Sequence, residues 1–121
     1  MNILKQSRDN LTTEDKYNLC MSPEIEKLSN VKGQIISVSD WILYEDIKKN
    51  DNGQDKYETI LSIRTEDGEV FATNSATFQR AFDEMIDLFA SSGETVKFVK
   101  VGTGTSKNGR DYITAIYANS L

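Results

Sequence analysis

Apolar residues recur at every second position from residue 31 to residue 38, with Val31, Gly33 and Ile35 on one face and Ile36 and Val38 on the other. That period predicts a strand whose two faces are both partly apolar. Beyond Ser39 and Asp40 the large side chains fall at Trp41, Leu43 and Glu45, so the phase of alternation slips. A bulge or sharp bend inside one long first strand produces such a slip, and a strand bent that far serves two sheets. Residues 46–56 are polar and read as a long hairpin loop, after which Tyr57, Thr59, Leu61 and Ile63 alternate in a second strand. Asp67-Gly68 predicts a tight turn into a short third strand over residues 69–73.

The period then changes. Phe78, Phe82, Met85, Ile86 and Phe89 recur at spacings of three and four, opposite a polar face of Gln79, Arg80, Asp83, Glu84 and Asp87, which predicts an amphipathic helix capped by Asn74 or Ser75. Ser91-Ser92-Gly93 ends it. Two further strands follow, over residues 95–101 and 111–117, joined by a glycine-rich loop that contains Gly102, Gly104 and Gly109.

Residues 1–30 read as a peripheral helical arm. Thr12 or Thr13 caps a short helix through Tyr17, Leu19 and Cys20, with Glu14 and Asp15 in its first turn. Ser22 and Pro23 start a second short turn as cap and first helical residue. Leu11, Tyr17, Leu19 and Leu28 give this arm apolar surface to pack over one end of the main domain, residues 31–119. The main domain runs strand, strand, strand, helix, strand, strand. That order predicts an all-β fold with one main helix, a five-stranded Greek-key barrel of the OB type with the helix plugging one end. A ferredoxin-like fold needs a helix where the polar residues 46–56 stand.

A chain of 121 residues, 38% of them hydrophobic, supports one core and is too short for two ordinary domains. No apolar run approaches the roughly 20 residues of a membrane span, and the first residues lack the apolar core of a signal peptide. A cytoplasmic protein with no membrane contact is expected. There is no histidine and a single cysteine, Cys20, so neither an internal disulfide nor the usual kind of zinc site is expected, and the commonest general base is missing. No cofactor, metal or catalytic residue is expected.

Charge is uneven. The whole chain is −5, yet from Glu94 onward Lys97, Lys100, Lys107 and Arg110 outnumber Glu94 and Asp111. Between Asp67 and Gly93 the balance reverses, with Asp67, Glu69, Asp83, Glu84 and Asp87 against Arg80 alone. Duplex binding through spread phosphate contacts favours a basic protein, whereas a single-strand groove needs only local positive charge because stacking supplies about 1–3 kcal/mol per base.

Three stretches carry a family likeness: Trp41-Ile42-Leu43-Tyr44-Glu45, Phe71-Ala72-Thr73-Asn74-Ser75-Ala76-Thr77-Phe78, and Gly104-Thr105-Ser106-Lys107-Asn108-Gly109-Arg110-Asp111-Tyr112-Ile113-Thr114. On these, residues 31–117 resemble the small single-stranded DNA-binding proteins of bacteriophages and conjugative elements of Gram-positive bacteria. The resemblance implies an OB-fold that protects single strands during replication, recombination or transfer; with no histidine in the chain, no enzymatic activity is expected. The glycine- and proline-rich linker and acidic tip of many cellular relatives do not follow the last strand, so recruitment of partners through such a tail is not expected.

Single strands are held by aromatic faces that stack on bases and by cations that follow phosphates. In an OB barrel the usual surface spans the second and third strands, with the first and last hairpin loops as clamps. The candidates are Trp41, Tyr44, Tyr57, Arg64, Phe71 and Tyr112 on strands, Lys48, Lys49 and Lys56 in the first loop, and Lys107 and Arg110 in the last. The two loops are expected to face each other across Tyr57 and Phe71. Several have a structural alternative: Trp41 and Phe71 also suit a barrel core, the Lys48-Lys49 pair lies among Asp46, Asp51 and Asp55, and the glycines of the last loop suit a simple turn. Single-stranded DNA is the expected partner, with RNA and a second copy of the chain left open. The alternative is an OB-fold adaptor that binds protein and no nucleic acid. A metal-dependent nuclease built on Asp40, Glu58 and Asp111 is a third reading.

Overall fold

In the computed structural model, which describes residues 1–121, the chain runs through β1 (Asn2–Gln6), α1 (Thr13–Cys20), β2 (Glu26–Lys27), a 3-10 turn (Leu28–Val31), β3 (Ile35–Ser37), β4 (Asp40–Lys49), β5 (Asp55–Arg64), β6 (Val70–Thr73), α2 (Ala76–Ser91), β7 (Phe98–Thr105) and β8 (Asp111–Ala118). β3 and β4 are the two halves of the bent strand. β3 pairs antiparallel with β7, placing Ile36 opposite Val99, and past the break β4 pairs with β5, placing Trp41 opposite Ile63. One continuous segment therefore serves both sheets, as the slipped phase required.

The sheets have the orders β1-β4-β5-β6-β2 and β3-β7-β8. A closed barrel would need a ladder between β6 and β8, and none joins them. Glu26 and Lys27 of β2 take that edge of β6 instead, pairing parallel with Phe71 and Ala72. The result is a mostly β protein of two open sheets with α2 in the gap between them: the Ser75 hydroxyl lies 3.5 Å from the Ile113 carbonyl, Trp41 meets Phe82 edge-on, and the rings of Phe89 and Tyr117 lie 4.9 Å apart.

The amino-terminal segment is more than a helical arm. β1 is an edge strand on β4, with Ile3 opposite Tyr44 and a register shift between Ile3 and Lys5. Lys5 reaches α2, its ammonium 2.6 Å from both Asp83 and Asp87. The expected first helix is present, with Thr12 as cap: its hydroxyl accepts from the Asp15 amide and the Asp15 carboxylate accepts from the Thr12 amide, the reciprocal pair of a capping box. Ser22-Pro23 does not start a helix. Ser22 Oγ accepts from the Glu24 amide in a local turn, and the chain enters β2.

Both predicted hairpin loops are shorter than their composition suggested, because the strands run on to Lys49 and Asp55 in one and to Thr105 and Asp111 in the other. All three hairpin turns share one construction. Asn50, Thr65 and Ser106 each accept through the main-chain oxygen from a glycine amide three residues on, and through the side chain from the amide four residues on. The glycines, Gly53, Gly68 and Gly109, have φ of 75°, 86° and 77°, the left-handed conformation that a turn followed by a glycine bulge demands.

Alternate positions of β4 and β5 build two cores. Trp41, Leu61 and Ile63 point between the sheets, where they meet Leu28, Phe71, Phe78, Phe82, Val99 and Val101. Ile42 and Tyr44 point the other way and are covered by Leu11 and Leu19 of the arm. Burying those two leucines contributes about 1.5–3 kcal/mol each, so the arm is an integral layer. It covers the outer face of β4 and β5 from Asp40 and Arg64 to Tyr44 and Ile60, the half remote from their turn.

Candidate nucleic-acid interface

Past the cover provided by α1, β4 and β5 continue as a two-stranded ribbon. Ile47 and Tyr57 are directly opposite each other on it and are 52% and 61% exposed. They extend the row of Leu61 and Ile63 that lines the core, so the ribbon carries the interior face out into solvent. On its other face Lys48 stands opposite Lys56, and Glu58, 2.8 Å from the Lys48 ammonium, offsets the like charges. The Lys48 and Asn74 side chains hold the Glu58 carboxyl below its usual range. Lys49 pairs with Asp55 at 3.1 Å, which leaves Lys56 as the ribbon cation without an ion pair.

The second hairpin carries Lys107 and Arg110 on its turn, both exposed and neither ion-paired. At its base Thr105 donates to Asp111 at 3.1 Å. Tyr112, 40% exposed, belongs to the row of β8 opposite the core-facing Ile113 and Ala115. Tyr57 and Tyr112 thus stand on rows of opposite sense, one continuing an interior face and one on an outer face. A short chain of contacts at the start of α2 relates the two hairpins: Asn74 donates to Glu58 at 2.7 Å, next to Tyr57, and the neighbouring Ser75 reaches Ile113, next to Tyr112. Gln79 fixes the same corner by donating to the carbonyls of Thr59 and Thr73 at 2.9 and 3.0 Å.

Four of the expected contact residues are elsewhere. Trp41 is 6% exposed with its ring edge against Phe82, and Phe71 is 3% exposed in the same core, so neither presents a face to a base. Tyr44 is buried under α1, its hydroxyl 3.4 Å from the Cys20 carbonyl; burial, with the charge of Asp46, pushes it up to about 12. Arg64 is spent on Asp15 and Asp40, at 3.1 and 2.8 Å. Tyr44 and Arg64 were assigned outward because the arm that covers them was expected at one end of the domain, whereas Trp41 and Phe71 lie in the core between the sheets. The nuclease carboxylates are likewise dispersed: Asp40 is held by Arg8 and Arg64, Glu58 by Lys48, and Asp111 by Thr105.

Two exposed residues went unassigned. Ile47 is the cross-strand partner of Tyr57, and Lys100 lies on the outer row of β7. Both were legible from period-two spacing, Ile47 once the ribbon is extended through the polar stretch and Lys100 from its alternation with Gly102 and Gly104.

Exposed tyrosines near the turns of two hairpins, with unpaired cations on the same hairpins, are the kinds of aromatic face and positive charge that a nucleic-acid strand engages. Fold and surface together describe a small β-rich module with two hairpins that carry exposed aromatic and cationic side chains. The chain belongs to the Phage Single-stranded DNA-binding protein family, whose model matches residues 1–116. The match takes in β1 and α1 together with both sheets. No curated protein and no solved structure matches the chain.

Proposed function

We propose that this chain is a sequence-tolerant single-stranded DNA-binding protein without catalytic activity, protecting single strands during phage or mobile-element replication or recombination in the cytoplasm. The two sheets act as an open barrel of the OB type, in which β3 with β4 is the first strand, and β2 and α2 fill the seam that a closed barrel would zip. Bases stack on Tyr57 and Tyr112. Lys56, Lys107 and Arg110 take phosphates, with Lys48 and Lys49 contributing where their carboxylate partners yield. The observation that carries this reading is the exposed Ile47–Tyr57 pair, with the unpaired Lys56 on the opposite face of the same projecting ribbon, in a chain of this family.

The net charge of −5 is compatible with it. Asp83 and Asp87 share Lys5, and Asp15 and Asp40 pair with Arg8 and Arg64, so these four carboxylates are ion-paired away from the two hairpin turns. The test is a titration with labelled single- and double-stranded oligonucleotides, DNA and RNA, at two salt concentrations. Salt-sensitive binding of oligothymidine with weak binding of duplex is expected. An absence of oligothymidine binding at low salt overturns the proposal.

A further inference from the structure

Gly102 and Gly104 lie inside β7, and neither has the positive φ that calls for glycine. Glycine weakens the interior of a strand and marks places where another group comes close. Here the close groups are side chains of β8. A Cβ built on Gly104 would stand 2.5 Å from both Cζ and the hydroxyl oxygen of Tyr112 and 3.0 Å from its Cε2. On Gly102 a Cβ would stand 2.5 Å from Cδ1 of Ile116.

Gly104 and Tyr112 are direct partners in the β7–β8 ladder. Side chains on a strand ordinarily stand roughly perpendicular to the sheet. The distal half of the Tyr112 ring instead lies across the neighbouring strand, in the space a side chain at residue 104 would fill. The tyrosine nonetheless keeps 40% of its surface exposed and Ile116 keeps 46%. Each therefore has one side backed by glycine main chain and the other open to solvent. Lys100, exposed and without an ion pair, belongs to the same outer row of β7.

We infer that Gly104 is a positioning residue for single-strand binding: it lets the Tyr112 ring lie down on the sheet as a platform for a base, and Gly102 seats Ile116 as a second apolar place on the same face. The inference rests on the proposed function and goes further by naming how the ring is oriented and which ligand surface it takes. A ring lying on the sheet offers its π-face and makes no hydrogen bond to base edges, so purines and pyrimidines are accepted alike. Lys100 supplies a phosphate contact beside the platform.

Alanine at residue 104 forces the ring to lift. The displaced atoms are the far end of a flexible, half-exposed side chain, so the fold survives, and alanine in a strand interior is favoured over glycine because it loses less backbone freedom on folding. Stability and affinity should therefore move in opposite directions or independently. The Gly104→Ala protein is expected to melt at or above the parent's temperature and to bind oligothymidine about 5- to 20-fold more weakly, within the range of one lost stacking contact. Its salt slope should equal the parent's. Tyr112→Ala should lose at least as much, Tyr112→Phe almost nothing, and the Gly104→Ala/Tyr112→Ala pair no more than Tyr112→Ala alone.

Parental affinity in Gly104→Ala beside a weakened Tyr112→Ala overturns the positioning role and leaves the binding reading intact, as does full additivity in the double variant. A parent that binds no oligothymidine at low salt instead removes the function on which the inference rests. The ring-current shift of the Gly104 Hα protons in the parent reads the same contact without substitution. It should change when oligothymidine is added, and an unchanged shift at saturation overturns the platform.

Discussion

Arg64 ties the first helix to the sheet beneath it, donating from Nη1 to Asp15 at 3.1 Å and from Nη2 to Asp40 at 2.8 Å. Its side chain is 17% exposed, so the guanidinium is part of the fold. Arg64→Ala leaves a buried carboxylate short of one partner and should lower stability by about 2–3 kcal/mol, with oligothymidine affinity and salt slope unchanged in the variant that remains folded. Denaturant unfolding together with a salt-resolved titration checks both. Parental stability with a shallower salt slope would return Arg64 to the DNA-binding surface.

Asp40 gives the same cluster a pH dependence. Burial alone pushes this carboxyl up, but hydrogen bonds from Arg8, Arg64 and Ser7 outweigh it and bring it down to about 2. A carboxylate held below its ordinary value of about 3.9 contributes stability at every pH above that value and loses it as the pH falls towards the folded value. An acid titration followed by circular dichroism should show destabilisation between about pH 4 and pH 2. Asp40→Asn should be less stable at neutral pH and should lose part of that dependence. An unchanged acid limb would mean that other carboxylates govern it.

Tyr57→Ala should weaken oligothymidine binding about 5- to 150-fold, the equivalent of one stacked base, while leaving the salt slope alone. The side chain is 61% exposed, so the melting temperature should barely move. A shallower slope with equal low-salt affinity would give Tyr57 a role other than stacking.

Lys107 and Arg110 should act in the complementary way. Replacing both with alanine weakens binding to all sequences and reduces the salt slope by about 1.4, at about 0.7 per phosphate contact on a single strand. Fluorescence anisotropy over a salt series measures it. An unchanged slope would place the strand away from the β7–β8 turn.

Trp41 should report on the core and not on the ligand. With 6% of its surface exposed and its ring edge against Phe82, its emission should be blue-shifted and resistant to iodide. Saturating oligothymidine should quench tyrosine emission and leave the tryptophan nearly unaffected. Strong tryptophan quenching on binding would reopen its assignment as a stacking residue.

What could be read from the chain was whatever repeats locally. Helix α2, its Ser75 cap, the turn at Gly68 and the break between β3 and β4 all announce themselves within a few residues. β1 and β2 do not. Asn2-Ile3-Leu4-Lys5-Gln6 has two adjacent apolar residues and no clear period, and Glu26-Lys27 has none; both are strands only because distant partners, β4 and β6, offer an edge. The errors at Tyr44 and Arg64 follow from the same gap, since their burial depends on where the arm lies. Trp41 and Phe71 were ambiguous for another reason: an aromatic on an alternating strand serves an inner or an outer face equally well, and only the register between sheets decides. The glycines of β7 were legible as glycines and misleading as a loop, because the demand they meet comes from β8.

The clasp between Lys5 and α2 has a kinetic side. Its two ion pairs join residues separated by 78 and 82 positions, whereas β4 and β5 are zipped through a turn of a few residues. Contacts that close long stretches of chain form after local ones, since the entropy of closure must be met before the contact exists. The arm is then the last layer to be fastened as the protein folds and the first to lift under thermal fluctuation. Amide hydrogens of β1 should exchange with solvent well before those of β4 and β5, although the three strands lie side by side in one sheet.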